Sequence, residues 1–277
     1  MKKVIFGVLL GVLSIVLFGC NSGEAIEGYE EVEGRETITI GMECDYAPFN
    51  WSQPKKTKWS LPISNNSQFA DGYDIQIAKY LSRELNVNVR IKAISWAGLT
   101  TALESGEIDA IIAGMSPTED RKVSIDFTEG YYRTTHVVVM KKDSKFVNAK
   151  LLTDFSGARG VGQIETLYDT LLTQFPGITH QPAVASVGII TTALNTGTAD
   201  IAILEKPVAQ SIIKMNDKLT FIELEQEFEV DESDVLVAIG IRKNAGDLKA
   251  RLNAALNKLT QEMRDEWMLA AVERQIV

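Results

Sequence analysis

The chain has 277 residues, of which 45% are hydrophobic and 23% are charged, so it is long enough for one large domain or two of moderate size with buried cores. It carries 37 acidic and 28 basic residues, a formal charge of −9, and its sequence pI is about 4.9. This acidic balance, together with the lack of a basic stripe, argues against nucleic acid as a partner.

The first twenty residues have the composition of an export signal. Lys2 and Lys3 precede an apolar run over residues 4–18, which is short for a membrane span. The run leads into the letters LFGC, which resemble a lipobox, where a cysteine receives a diacylglyceryl group and becomes the mature N-terminus. We therefore predict a lipoprotein signal peptide over residues 1–19 and lipidation of Cys20. A plain secretory signal or a short anchor is the alternative.

The segment that follows, residues 20–36, is rich in Glu and Gly and has little to bury, so we predict a flexible tether. Lipidation of Cys20 would leave Cys44 as the remaining cysteine, and no intramolecular disulfide could form. Cys44 has no neighbouring His and no metal-ligand spacing, so it is predicted to be passive. The two histidines, His136 and His180, stand alone, and neither a metal nor a cofactor is expected.

The regular elements are predicted to begin at residue 37. Residues 37–42 alternate as a strand does, residues 71–85 place apolar side chains on one helical face, and residues 87–93 read as a second strand. This order is typical of an α/β sheet, in which ligands gather at the C-terminal ends of the strands. Residues 51–69 interrupt the pattern with Pro, Ser, Asn and Lys, and we predict an exposed insertion there.

An internal repeat supports two α/β units. LTTALESGEIDAI at residues 99–111 and ITTALNTGTADIA at residues 190–202 align without gaps at a spacing of 91 residues. In each unit a helix is predicted to end at a glycine, Gly106 or Gly197, and a strand follows. Two such units predict two lobes that face each other across a cleft. Chance similarity between ordinary α/β segments is the alternative.

Polar residues follow both units. In the first, Ser116, Pro117 and Glu119 stand where the N-cap, first and third positions of a helix would be, which predicts a capping box. Arg121 lies one step further along. A helix start and an arginine together could hold an anion, although an ordinary capped surface helix has the same pattern. In the second unit the strand is expected to end at Glu205.

Beyond residue 36 the chain resembles the family 3 extracellular solute-binding proteins, the amino-acid receptors of ABC importers. The resemblance rests on YAPFNW at 46–51, DGYDIQIA at 71–78, residues 96–122, DFTEGYY at 126–132, and the later GVGQIET, ADIAILEKP and VAIGIRKN. The insertion at residues 51–69 and a short C-terminal tail depart from the usual family pattern.

The resemblance implies an α/β, two-lobed periplasmic-binding-protein-like fold of type II, with the ligand in the cleft between the lobes. It places hinge crossovers near residues 138–141 and 237–240. The implied lobe 1 is residues 37–139 plus 240–277, and the implied lobe 2 is residues 140–239.

The resemblance also implies a function and partners. The expected protein is a monomer, anchored by lipid on the extracellular face of the cell membrane, that captures a free L-amino acid and delivers it to an ABC permease. It would not be an enzyme. A dehydratase on the same fold, with Glu205 or Glu43 as general acid or base, is the competing class.

Site residues carry over from the family position by position. Arg121, Ser116 and Thr166 are expected to bind the ligand α-carboxylate, while the Gly114 carbonyl and Glu205 are expected to receive the α-ammonium.

The family positions around the ligand side chain are Glu43, Tyr46 and Trp96. An acid at position 43 favours a cationic ligand, arginine first and then lysine, histidine or ornithine, and Trp96 could stack on a flat cation. A neutral polar ligand such as glutamine or cystine is the alternative, and Trp96 could instead be an ordinary core aromatic residue.

Overall fold

The computed structural model describes residues 26–226 and 228–275 of the chain. The predicted signal peptide and Cys20 lie outside these residues. No helix in this described part is long and apolar enough to cross a membrane.

The regular elements alternate along the chain. The strands are β1 (Thr37–Met42), β2 (Asp45–Tyr46), β3 (Asn50–Gln53), β4 (Leu61–Pro62), β5 (Phe69–Asp71), β6 (Asn88–Ala93), β7 (Ala110–Ile111), β8 (Ile125–Arg133), β9 (His136–Lys141), β10 (Arg159–Gly160), β11 (Thr179–His180), β12 (Ile201–Glu205), β13 (Leu219–Ile222) and β14 (Leu236–Arg242). The α-helices are α1 (Tyr73–Leu85), α2 (Leu99–Glu104), α3 (Glu119–Ser124), α4 (Leu167–Leu171), α5 (Val187–Thr196), α6 (Lys206–Met215), α7 (Leu248–Leu256) and α8 (Gln261–Arg274).

Two five-stranded sheets form the centres of two lobes. Lobe 1 is built on the sheet with strand order β6-β1-β7-β14-β8, and lobe 2 on the sheet with order β11-β10-β12-β9-β13. In each sheet the strands joined through helices run parallel, whereas β14 in lobe 1 and β9 in lobe 2 run antiparallel to their neighbours. The predicted two-lobed α/β fold is confirmed.

The chain changes lobe twice, at positions that differ from the predicted ones. The first change lies between β8 and β9, at residues 134–135, and the second lies between β13 and β14, at residues 223–235. The predicted crossovers at residues 138–141 and 237–240 instead fall inside β9 and β14. The reason is strand pairing, because β9 pairs with β12 from His136 to Met140, and β14 pairs with β8 from Leu236.

Residues 26–36, which we call the N-terminal strap, are bound to lobe 1, so the expected free tether is wrong for this part of the segment. The strap hydrogen-bonds to α1, β6 and the insertion through the pairs Ile26–Gln76, Gly28–Lys58, Tyr29–Val89 and Val32–Asn88, at donor–acceptor distances of 2.7 to 3.1 Å. Lys79 of α1 also donates to the Ile26 carbonyl at 3.2 Å. A composition rich in Glu and Gly therefore does not keep this segment separate from lobe 1, because its backbone forms hydrogen bonds with the lobe.

The insertion at residues 51–69 is folded rather than simply exposed. It supplies most of a small sheet of order β2-β3-β5-β4, in which Trp51 and Leu61 are buried. The ring of Trp59 lies 5.0 Å from the guanidinium of Arg274, which also forms an ion pair with buried Asp71 at 3.1 Å. The C-terminal helix α8 therefore holds the insertion against lobe 1.

Candidate ligand-binding site

Seven of the eight predicted ligand-binding residues line one small cavity between the lobes. Lobe 1 contributes Glu43, Tyr46, Trp96, Gly114, Ser116 and Arg121, and lobe 2 contributes Gln163, Thr166, Leu167 and Tyr168. The eighth, Glu205, lies directly behind the cavity, where its Oε2 accepts a hydrogen bond from the Tyr46 hydroxyl. The chain therefore brings every predicted site residue to one place.

Neighbouring strand ends position the lobe 1 residues. Glu43 follows β1 and Gly114 follows β7, and because these strands are adjacent and parallel, their C-terminal ends meet at the cleft. Gly114 has a φ of +62°, and a Cβ there would lie 2.8 Å from the Tyr46 ring. Only a glycine fits this conformation and this space, so its backbone can be approached closely from the cavity.

Arg121 is the one cation that lines the cavity among the described residues. Its guanidinium donates to the Ser116 carbonyl and to the Glu165 carbonyl of lobe 2, both at 2.9 Å. It also lies 4.9 Å from the centre of the Trp96 ring. Burial lowers the pKa of Arg121 from its ordinary value, and nearby acidic and phenolic groups oppose that shift. The guanidinium is thus held by carbonyl oxygens, and no carboxylate of the described residues is bonded to it.

The predicted capping box is wrong, because α3 begins two residues later than expected. Its N-cap is Thr118, whose hydroxyl accepts a hydrogen bond from the Arg121 amide at 3.4 Å. The Ser116 hydroxyl instead donates to the Asp234 carbonyl at 3.2 Å, in the second segment that joins the lobes. Ser116 is therefore held by a residue 118 positions away, which no local pattern could predict.

The loop between β10 and α4 carries the lobe 2 side of the cavity. Glu165 has a φ of +59°, a strained conformation for a residue with a side chain, and its carbonyl accepts hydrogen bonds from Arg121 and from Trp96 Nε1 at 3.2 Å. Thr166 is the N-cap of α4, but its hydroxyl donates to the Gln163 carbonyl at 2.7 Å rather than capping the helix.

Glu43 meets lobe 2 through a side-chain amide. Gln163 Nε2 donates to Glu43 Oε1 at 3.1 Å and to the Ala185 carbonyl at 3.2 Å. Burial is the largest cause that raises the pKa of Glu43 to about 7, followed by the negative charge of Asp45, and the Gln163 hydrogen bond opposes both. Glu43 has no cation bonded to it among the described residues, so a positive group placed beside it would favour the ionised form.

Glu205 is fully enclosed at the end of β12. Burial raises its pKa to about 7, while the Tyr46 and Tyr168 hydroxyls and the charge of Arg121 lower it again. Within residues 26–226 and 228–275, its Oε1 and the Tyr168 hydroxyl are both buried and have no hydrogen-bond partner of normal geometry. A buried carboxylate with an unused oxygen, beside an unused hydroxyl, can accept a donor from a ligand.

The cavity is too small for an amino acid as the lobes stand. Its volume is 20 Å³, about enough for one water molecule. A second cavity of 720 Å³ adjoins it and shares Trp96, Arg121, Thr166 and Leu167. The hydrogen bonds that cross the cleft, from Gln163 to Glu43 and from Arg121 and Trp96 to the Glu165 carbonyl, border this cavity.

Three lining residues were not predicted as site residues. Gln163 lies in the GVGQIET stretch that carried the resemblance, so a signal for it was present. Leu167 and Tyr168 follow that stretch on α4 and had none. Among the described residues no cluster of three His, Cys, Asp or Glu side chains could hold a metal ion, and Cys44 is a buried free cysteine.

Comparisons with known proteins agree with this architecture. The sequence model for bacterial extracellular solute-binding proteins, family 3, matches residues 38–269. The arginine-binding extracellular protein ArtP of Bacillus subtilis is 26% identical over 99% of this chain and 97% of its own length. The L-cystine-binding protein TcyJ of Escherichia coli K12 is 25% identical over 96% of both chains.

A solved structure gives the same result in three dimensions. The substrate-binding protein of an amino acid ABC transporter from Streptococcus pneumoniae, bound to L-arginine, superposes with a TM-score of 0.75 and 25% identity, covering 87% of this chain and 95% of its own. The family model spans most of the chain and the two-lobed fold is shared, so the predicted resemblance is confirmed and the chain belongs to the bacterial extracellular solute-binding proteins of family 3.

Proposed function

We propose that this protein is the substrate-binding component of an amino-acid ABC importer and that it captures a cationic amino acid, arginine first. The observation that carries the proposal is the set of charges at the cavity. Arg121 supplies one positive charge, and Glu43 and Glu205 can supply two negative charges from opposite lobes. Arginine carries the complementary set: one carboxylate, one α-ammonium and one guanidinium.

The ligand α-carboxylate would bind Arg121. When the lobes separate, the guanidinium loses the Glu165 carbonyl of lobe 2, which frees donors for a two-pronged contact with a carboxylate. A carboxylate is the better partner, because its charge offsets the cost of burying the guanidinium, whereas a carbonyl offers only a dipole. Ser116 and Thr166 border the same end of the cavity and would contribute hydroxyl groups.

The α-ammonium would lie between the Gly114 carbonyl and Glu205. Glu205 keeps one oxygen without a partner, and an ammonium beside it would restore the ionised carboxylate that burial disfavours. The side-chain guanidinium would then extend toward Glu43, with the Trp96 ring available for stacking. Glutamine would leave Glu43 without a cation, and cystine would bring a second carboxylate into the cavity along with its second ammonium, which is the physical reason to rank these ligands below arginine.

Capture and delivery follow from hinge closure. An amino acid would bind one lobe in the open form, and its contacts with the other lobe would then stabilise the closed form that the permease recognises. No covalent step is needed. The alternative, a dehydratase, is tested by incubating the protein with amino acids and assaying for product, since a receptor returns its ligand unchanged.

The lipid anchor is a separate part of the proposal and rests on the letters LFGC alone. Cys20→Ala should move the protein from the membrane fraction to the medium. Equal recovery of wild type and variant in the membrane fraction would contradict the anchor and leave the receptor proposal intact.

The identity of the ligand is tested by calorimetry with arginine, lysine, histidine, glutamine and cystine. Glu43→Gln keeps the size of the side chain but removes its charge, so arginine should bind more weakly by about 10- to 150-fold, which corresponds to about 1.5 to 3 kcal/mol for a charged hydrogen bond. Glutamine should lose far less affinity. Glu104→Gln, an exposed position on α2, is the control. Tighter binding of a neutral amino acid by wild type would contradict the cationic assignment.

A further inference from the structure

A chain of buried hydrogen bonds lies beneath Gly114, outside the cavity. The Gly114 amide donates to the Tyr131 hydroxyl at 3.2 Å, and that hydroxyl donates to Asp74 Oδ1 at 2.7 Å. Asn50 Nδ2 donates to the other oxygen, Asp74 Oδ2, at 2.8 Å, and Asn50 Oδ1 accepts from the Cys44 amide. Both ends of the chain therefore reach backbone that borders the ligand site, beside Gly114 and beside Glu43.

Asp74 is a buried carboxylate without a cation. It is 0% exposed in the first turn of α1 and forms no ion pair among the described residues. Burial raises its pKa to about 6, and the hydrogen bonds from Tyr131 and Asn50 oppose that shift, as does the nearby Gly114 amide. The N-terminal end of α1 also favours a negative charge at this position. A carboxylate held in this way exerts its charge in surroundings of low dielectric constant, where it is weakly screened.

The geometry requires two acceptors at position 74. Tyr131 uses its hydroxyl as acceptor for the Gly114 amide, so its proton must go to Asp74, while Asn50 presents an amide donor to the second oxygen. An ionised carboxylate accepts both donors, whereas an asparagine would turn an NH₂ group toward one of them. Loss of the Tyr131 contact would leave the Gly114 amide without its acceptor. The backbone at Gly114 could then rotate, and the direction of the Gly114 carbonyl would change with it.

We propose that Asp74 is a positioning residue for ligand recognition: acting through Tyr131, it holds the backbone at Gly114 so that the carbonyl faces the ligand α-ammonium, and its charge attracts that ammonium. This inference rests on the proposed function, in which the Gly114 carbonyl receives the α-ammonium. Asp74 lies outside the cavity, and its proposed effect is on one chemical group of the ligand, the α-ammonium.

The test compares two ligands that differ in that group. Arginine and 5-guanidinopentanoic acid, which is arginine without its α-amino group, are titrated into wild type and Asp74→Asn by calorimetry. We expect Asp74→Asn to weaken arginine by about tenfold or more and to change the affinity of the analogue by less than about threefold. A residue needed only for folding would weaken both ligands equally, and that outcome would overturn the proposal.

A second variant covers the case in which Asp74→Asn does not fold. Tyr131→Phe keeps the ring and removes the hydroxyl that connects Asp74 to Gly114, so it should show the same loss for arginine and a small change for the analogue. Equal losses would again overturn the proposal.

Glutamine and its analogue without the α-amino group, 4-carbamoylbutanoic acid, are measured in parallel. If wild type prefers glutamine, the cationic assignment fails, and this second pair decides the role of Asp74 by the same criterion.

Discussion

The two repeated units have the same local structure but end in opposite charges. In both, a helix is followed by a glycine in the left-handed conformation, Gly106 with a φ of +80° and Gly197 with a φ of +75°. In both, an aspartate then accepts a hydrogen bond from the backbone of a neighbouring strand, Asp109 from Thr39 in lobe 1 at 3.0 Å. The equivalent contact in lobe 2 joins Asp200 to Arg159 at 2.9 Å.

The units differ where their strands meet the cleft. In lobe 1 the chain leaves β7 through Gly114 and soon reaches Arg121, whereas in lobe 2 strand β12 ends directly in Glu205. The same supporting structure therefore presents a cation on one side of the cavity and an acid on the other. The repeated residues determine where the strand ends lie, and the residues beyond the repeat determine which charged side chain each unit places at the cleft.

The largest effect on binding is expected from removing the cation that lobe 1 places at the cleft. Arg121→Ala should weaken arginine binding by about 2 to 5 kcal/mol, or roughly 30-fold to a few thousand-fold, because the ligand carboxylate would be buried without its charged partner. Calorimetry measures the change. Lys122→Ala removes the next residue, which is paired with exposed Glu119, and should bind as wild type does. An Arg121→Ala variant with wild-type affinity would contradict the carboxylate assignment.

The two carboxylates at the cleft, Glu43 on lobe 1 and Glu205 on lobe 2, should make binding dependent on pH. The pKa values of Glu43 and Glu205 are raised to about 7 in the ligand-free protein, and a bound cation favours their ionised forms. Ligand binding should therefore release protons below about pH 7, and the affinity for arginine should fall as pH is lowered from 8 to 5. The slope should approach tenfold per pH unit for each carboxylate that must ionise.

Arginine suits this measurement because its own charges do not change between pH 5 and 8. The Glu43→Gln variant should lose part of the slope, and the remainder should report Glu205 together with Asp74, whose pKa is raised to about 6. Affinity that stays constant over this range would contradict the role of both acids as partners of the ligand.

The smallest effect is expected from changing the aspartates that hold the repeated units to a neighbouring strand, Asp109 in lobe 1 and Asp200 in lobe 2. Asp109→Asn and Asp200→Asn should each lower the free energy of unfolding by about 0.5 to 1.5 kcal/mol, because a partly exposed ion pair and a backbone hydrogen bond are weakened. Asp200 pairs with Arg159 through both oxygens, so it should cost slightly more than Asp109, which pairs with Arg242 through one. Urea denaturation measures the loss, with Asp143→Asn as an exposed control. A loss of ligand affinity in either variant would contradict the division between support and site.

Local patterns predicted the elements that local interactions determine. Strand β1 begins and ends as the alternation of TITIGM predicts. Helix α1 buries Ile77 and Leu81 as the helical spacing indicated, but residues 73–82 are buried on every face and not on one alone. The eight site residues came from the family resemblance. Glu43, Gly114 and Glu205 lie at or just after the ends of strands in the two five-stranded sheets, whereas the other five lie elsewhere around the cleft.

Contacts between distant parts of the chain could not be predicted. Ser116 looked like a helix cap but bonds to the Asp234 carbonyl, and Gln163 reaches Glu43 only after two lobes have closed on each other. Tyr168 had no motif, although its hydroxyl lies beside Glu205. In each case the contact depends on how the two lobes pack together, and the spacing of residues along one sequence does not reveal that packing.

If Cys20 carries a lipid as proposed, the N-terminal strap limits the distance that the folded domain can move from its point of attachment to the membrane. A free segment from Cys20 to the start of β1 at Thr37 could extend about 55 to 60 Å, at roughly 3.3 to 3.6 Å per residue. With Ile26 held on α1, the six steps from Cys20 span at most about 20 Å. The volume open to the attachment point shrinks by about twentyfold, and the local concentration of receptor near any permease rises accordingly. The strap would therefore shorten the tether. A variant that released the strap would let the domain reach further from its lipid but would lower the frequency of its encounters with the permease.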